Sequence, residues 1–250
     1  RNGCIDRMKA VLRDCDVHYD QRGSGRPLFL LHGWEASAAA QMTVMEPLFT
    51  AGDNWCRIYP DLPGHGATPV GPSVRDHDDL LELLIEFIDD VSPGERLVLG
   101  GWSWGDYLVG GILHHLLDRV DGVLLDTPAI GRDRTVEPFA LVRQDPAFVA
   151  ALGPDERWLE SVVTSQSTDL LDRVRAYRDA LLPQDPAIQA VVRVPFSFDP
   201  DELAHPLRAP VVIVAGRQDS EVGYRHLWRA LDRFPRATLA ILDGAGHFLD

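Results

Sequence analysis

Short apolar runs and helical stripes alternate along the first half of the chain. Residues 17–20, 27–31, 55–59, 96–100 and 120–126 each have the length and the β-branched or aromatic content of a strand. Between them the spacing becomes helical. Leu80, Leu84, Phe87, Ile88 and Val91 fall on one face of a 3.6-residue period, with Ser73 placed as N-cap and Pro93-Gly94 as terminator. Residues 107–117 carry a second helical stripe. Gly23-Ser24-Gly25 leads into a strand rather than a helix, so it reads as a hairpin turn and not as a phosphate loop.

The rhythm breaks after Asp126. Residues 148–152, 157–164, 170–182 and 188–194 are helical in pattern, are punctuated by prolines, and enclose no convincing central strand. Strand and helix patterns resume at 210–215, 222–234 and 237–242. Alternation of this kind predicts an α/β fold, a mostly parallel central sheet with helices on both faces. The division expected is a core of residues 1–130 and 207–250, with a helical cap at 131–206 over the carboxyl edge of the sheet, where open α/β sheets bind ligands. Met8 reads as a start position, with the residues ahead of it as a leader.

Composition narrows the partners. The 250 residues suit one domain with an insertion, and their net charge of −14 repels phosphate backbones and anionic bilayers. No nucleic-acid or membrane partner is therefore expected. No apolar run approaches the about 18 residues that span a bilayer. Cys4, Cys15 and Cys56 are odd in number and scattered, which argues against a disulfide framework or a zinc site and for the cytoplasm. No metal and no organic cofactor is implied.

Candidate chemistry centres on Gly101-Trp102-Ser103-Trp104-Gly105, set between a strand and a helix. There a serine occupies a sharp turn, and flanking glycines let strand and helix approach. A serine hydroxyl needs a base, and the base needs an orienting acid. Asp219 and His247 each follow a strand, in the order Ser, Asp, His. Asp126, which also ends a strand, is the alternative acid. The N–H groups of Trp104 and of Trp34, in the loop His32-Gly33-Trp34-Glu35, are the candidate oxyanion donors. Trp34 and Trp102 are candidate pocket walls for an apolar group. His32 and His65 read as structural, and Asp106 as a charge near the positive end of its helix.

With His32-Gly33, the Asp61-Leu-Pro-Gly-His-Gly66 loop, the Ser103 elbow, the insertion, Asp219 and His247, the chain resembles the α/β-hydrolase superfamily along its whole length. Phe196-Ser-Phe-Asp199, Gly216-Arg-Gln-Asp-Ser220 and Phe234-Pro-Arg-Ala-Thr238 are similar to segments of poorly characterised bacterial capped serine hydrolases. The resemblance implies Ser103 as nucleophile, His247 as base and Asp219 as acid, and a last helix beyond His247. Trp34-Glu35 after His32-Gly33 departs from the glycine-rich loop of proline iminopeptidases. A serine at the elbow departs from the aspartate of haloalkane dehalogenases and epoxide hydrolases. The expected activity is hydrolysis of a small or medium ester, thioester or lactone through an acyl-enzyme on Ser103, the partner being a small, apolar substrate. Carbon–carbon hydrolysis of a dienone-type ring-cleavage product, or a non-catalytic ligand receptor on the same fold, are the alternatives. The oligomeric state is left open.

Overall fold

The computed structural model describes residues 6–131 and 134–249. Eight strands form one sheet: β1 (Asp6–Leu12), β2 (Cys15–Gly23), β3 (Arg26–Leu31), β4 (Trp55–Pro60), β5 (Leu97–Trp102), β6 (Val120–Asp126), β7 (Val211–Gly216) and β8 (Ala237–Leu242), in the order β1-β2-β4-β3-β5-β6-β7-β8. The β1–β2 and β2–β4 pairs are antiparallel and the remaining five are parallel. Cys4 lies outside the described residues.

Alternation along β3 assigns the two faces. Phe29 and Leu31 point into a large core with α2 (His77–Val91) and α3 (Trp104–Leu116). Leu28 and Leu30 point the other way, onto a smaller cluster with Ala38 and Met45 of α1 (Ala38–Met45). Parallel strands buried on both sides read as continuous apolar runs, which is why 27–31 and 97–99 lack a polar alternation.

Several local expectations are corrected. The helix expected from Ser73 begins at His77, because the Asp76 carboxylate accepts the Asp79 N–H and caps it. Gly23-Ser24-Gly25 does not close a hairpin between neighbours. β4 inserts between β2 and β3, and the turn crosses its start so closely that a Cβ on Gly25 would lie 2.2 Å from the Asn54 carbonyl oxygen. β1 was not apparent as a strand, and it begins at Asp6 with Arg7 opposite Asp20, so residues just ahead of Met8 belong to the sheet. The helix expected over 222–234 is reduced to a 3-10 turn, Arg225–Arg229, and the single turn α7 (Ala230–Arg233).

Between β6 and β7 lie α4 (Pro146–Ala151), the 3-10 segment Pro154–Ser161, α5 (Thr168–Asp179) and α6 (Ile188–Val191). Phe148, Leu152, Leu159, Val163, Leu170 and Leu171 pack into an apolar cluster of their own. Glu156, nearly buried, ties the segment together through Arg175, Arg178 and the Gly153 N–H. Hydrogen bonds then fasten it to the loops at the carboxyl ends of the strands: Ser37 Oγ to the Ala180 carbonyl at 3.0 Å, the Asp185 N–H to Gly64 at 2.8 Å, and Ser165 Oγ to Gly244 at 2.5 Å.

Candidate active site

Ser103 sits between β5 and α3 with φ +54°, a left-handed conformation that a non-glycine residue adopts only when its surroundings enforce it. Three hydrogen bonds do so. The Ser103 N–H donates to the Asp126 carbonyl at 3.0 Å, and the Ser103 carbonyl accepts from Asp106 N–H at 3.1 Å and Ala129 N–H at 3.2 Å. The glycine at the start of α3 answers to close approach, since a Cβ on Gly105 would meet the Leu31 carbonyl oxygen at 2.3 Å.

The loops after β7 and β8 are tied to each other. Arg217 N–H donates to Leu242, Gln218 N–H to Ala245, and Gly244 N–H to the Gln218 side chain. Asp219 and His247 are thereby brought together with Ser103. His247 Nε2 lies 2.9 Å from Ser103 Oγ, and His247 Nδ1 lies 2.9 Å from Asp219 Oδ2. The Asp219 side chain is fully buried and that of His247 is 11% exposed. Burial pushes the Asp219 carboxyl up, but the His247 ring and the Val222 and Glu221 N–H groups outweigh it and hold the group below the usual aspartate value.

Asp126 occupies the end of β6, where its backbone serves the elbow. Its carboxyl is pushed up to about 7, chiefly by burial, with His247 drawing it down and Asp219 raising it. The His247 Nδ1 bond goes to Asp219. Asp106 is fully buried, and burial together with the Asp126 charge holds its carboxyl well above the ordinary range. It does not stand exposed at the helix end but lies beneath the elbow, accepting the Asp126 N–H at 3.1 Å.

Trp104 is the first residue of α3, where the N–H has no intrahelical acceptor. Trp34 follows β3 after His32 and Gly33 and lies against that helix start. The two rings meet edge to face at 5.4 Å, and His65 lies 5.3 Å from Trp34 and 5.5 Å from Trp104. Trp102 packs elsewhere, 5.7 Å from the His247 ring and 5.9 Å from Tyr177. His32 is buried with Nε2 accepting the Leu62 N–H, so Nδ1 carries the proton to the Gly33 carbonyl. Burial pushes it down to about 3, with His65 adding to the effect.

Four nearby residues escaped the sequence reading. His77 accepts the Trp104 indole N–H at 3.2 Å, Gln184 bonds His65 Nε2 at 2.8 Å, and Tyr177 and Phe248 flank Trp102. Tyr177 and Gln184 lie in the insertion, whose aromatic and amide residues were the available signal; His77 and Phe248 carried none. Among the described residues no group of three His, Cys, Asp or Glu is arranged to hold a metal, and no helix is long and apolar enough to cross a membrane.

A mostly parallel sheet with a serine on a strand–turn–helix elbow, met by an Asp and a His from the last two strand-end loops, defines the α/β-hydrolase class. The chain belongs to the alpha/beta hydrolase family, whose model matches residues 28–250. It is 26% identical to the pimeloyl-(acyl-carrier protein) methyl ester esterase of Aeromonas hydrophila, over 92% of each chain. It is 29% identical to the protein of the same description from Chromobacterium violaceum, over 79% of this chain and 78% of that one. Among solved structures, an alpha/beta superfamily hydrolase from Oenococcus oeni superposes with a TM-score of 0.82 at 25% identity, covering 97% of this chain and 92% of its own.

Proposed function

We propose that the protein is a serine esterase that cleaves a small or medium ester, thioester or lactone through an acyl-enzyme on Ser103. The observation that carries this reading is the continuous relay from Ser103 Oγ to His247 Nε2 and from His247 Nδ1 to Asp219 Oδ2, each step 2.9 Å. Relatives named as methyl ester esterases support the ester class.

In this mechanism Ser103 Oγ attacks the ester carbonyl as its proton passes to His247 Nε2. Asp219 holds Nδ1–H and stabilises the imidazolium that forms. The N–H groups of Trp34 and Trp104 receive the developing oxyanion. Collapse of the tetrahedral intermediate expels the alcohol, protonated by His247. Water, deprotonated by the same ring, then releases the acid. Residues 131–206 act as a cap that excludes bulk water and limits acyl size, and Trp34 and Trp102 line the apolar side of the pocket.

Quenching a reaction with p-nitrophenyl butyrate and measuring intact mass tests this. The reading requires hydrolysis, a butyryl group on Ser103, and a loss of kcat approaching about a million-fold in Ser103→Ala. Turnover unaffected by Ser103→Ala would overturn it. Absence of turnover on any ester, thioester or lactone would shift attention to carbon–carbon hydrolysis.

A further inference from the structure

The elbow is closed by a circuit that uses a side chain. Ser103 N–H donates to the Asp126 carbonyl at 3.0 Å, Asp126 N–H donates to Asp106 Oδ2 at 3.1 Å, and Asp106 N–H donates to the Ser103 carbonyl at 3.1 Å. Two links are backbone alone. The third depends on a carboxyl that is fully buried beneath the nucleophile. Space for it is reserved by a missing side chain, because a Cβ on Gly101 would come within 2.4 Å of Asp106 Oδ1.

We propose that Asp106 is a positioning residue for the nucleophile: by accepting the Asp126 N–H, its carboxyl locks the elbow to the end of β6 and so sets Ser103 Oγ within reach of His247. The proposal rests on the reading of Ser103 as nucleophile. The strained φ of Ser103 is the reason a lock is needed. A left-handed serine relaxes unless both of its peptide groups are held, and Asp126, which holds its N–H and pairs with Trp102 and Val214 in the sheet, donates its own N–H to Asp106. Reach matters because a shift of about 1 Å in a reacting group can cost a hundred-fold in rate.

The link is an acceptor oxygen, Asp106 Oδ2 at 3.1 Å from the Asp126 nitrogen, and burial together with the Asp126 charge pushes its carboxyl upward. Asparagine has that acceptor and nearly the same shape. Asp106→Asn is therefore expected to work, whereas Asp106→Ala, which removes the acceptor, is expected to fail in rate rather than in binding.

The test measures the rate of fluorophosphonate labelling and the steady-state constants for p-nitrophenyl butyrate in wild type, Asp106→Ala, Asp106→Asn and Ile112→Val. Ile112 is a buried residue of the same helix outside the circuit, and its variant controls for loss of packing. Asp106→Ala should label and turn over at least about tenfold more slowly with KM nearly unchanged, up to the hundred-fold expected of a displaced nucleophile. Asp106→Asn should recover most of that loss, and Ile112→Val should label at the wild-type rate. An Asp106→Ala protein as fast as wild type, an Asp106→Asn protein as slow as the alanine variant, or an equal loss in Ile112→Val would each overturn the proposal. Should the alanine variant not fold, Asp106→Asn alone decides: near wild-type labelling is required of it. Failure of the wild type to label at Ser103 would count against the nucleophile assignment instead.

Discussion

Asp219 Oδ2 meets His247 Nδ1 at 2.9 Å, while Asp219 Oδ1 accepts the N–H groups of Glu221 at 2.8 Å and Val222 at 2.9 Å. One carboxylate oxygen is thus spent on the loop and the other on the ring. Asp126, the other strand-end acid, uses its backbone to hold the elbow. The two acids should separate under substitution. Asp219→Asn should lower kcat by up to about 10⁴-fold, because the amide favours the wrong imidazole tautomer. Asp126→Asn should leave kcat near the wild-type value, since its N–H and carbonyl remain. Steady-state kinetics on one ester substrate checks both, and equal losses would remove the distinction.

Asp126 also makes a prediction about stability. Its carboxyl titrates near 7 in the folded protein and near 3.9 when unfolded, so the unfolded state loses its proton first as pH rises. Folding is therefore penalised progressively between those values, and the penalty is complete above about 7. Asp126→Asn removes it. The variant should melt at least about 2–4 °C above wild type at pH 8, with the gain shrinking toward pH 4. Calorimetry at the two pH values gives the answer, and a gain independent of pH would contradict the account.

The insertion carries the opposite sign. The Glu156 carboxyl is held below the ordinary range chiefly by Arg175, with the Gly153 N–H and Arg178 adding to it. A depressed value stabilises the fold above the unfolded glutamate pKa and loses that contribution as pH falls through the folded one. Glu156→Gln should therefore melt below wild type at pH 7, and the difference should narrow below about pH 4. Limited proteolysis at pH 7 should cut the variant first within residues 131–206.

Gly105→Ala places a Cβ 2.3 Å from the Leu31 carbonyl oxygen, where neither backbone can yield without moving the helix from β3. The expected outcome is a loss of soluble protein, or a folded protein with a lower melting temperature and severely reduced activity. Expression and melting measurements decide it. A variant as stable and active as wild type would show that the approach of α3 to β3 is looser than described.

Much of this was legible in the chain because it is local. The strand, serine turn and helix around Ser103 are contiguous, and the loops bearing Asp219 and His247 each follow a short apolar run. What was not legible depends on distant segments. Gly23-Ser24-Gly25 has a hairpin's composition, and only the later arrival of β4 separates the strands it joins. β1 is an edge strand with Arg7 and Lys9 among its residues, so its pattern is broken by charge. Ser73 and Asp76 are both of capping type, but the Ser73 N–H and hydroxyl are bonded to the distant Asp14 carboxylate, and Asp76 caps the helix. The partners of the site aromatics come from three separate segments, His77 from α2, Tyr177 and Gln184 from the insertion and Phe248 from beyond β8, and no spacing announces them.

The central claim is that Ser103 is activated by His247. A fluorophosphonate probe reacts with such a serine whatever its natural substrate, and peptide mass spectrometry locates the adduct. The account predicts a single adduct on Ser103, absent in Ser103→Ala and strongly slowed in His247→Ala. Folded protein that takes up no probe, or takes it up equally well without His247, would contradict it.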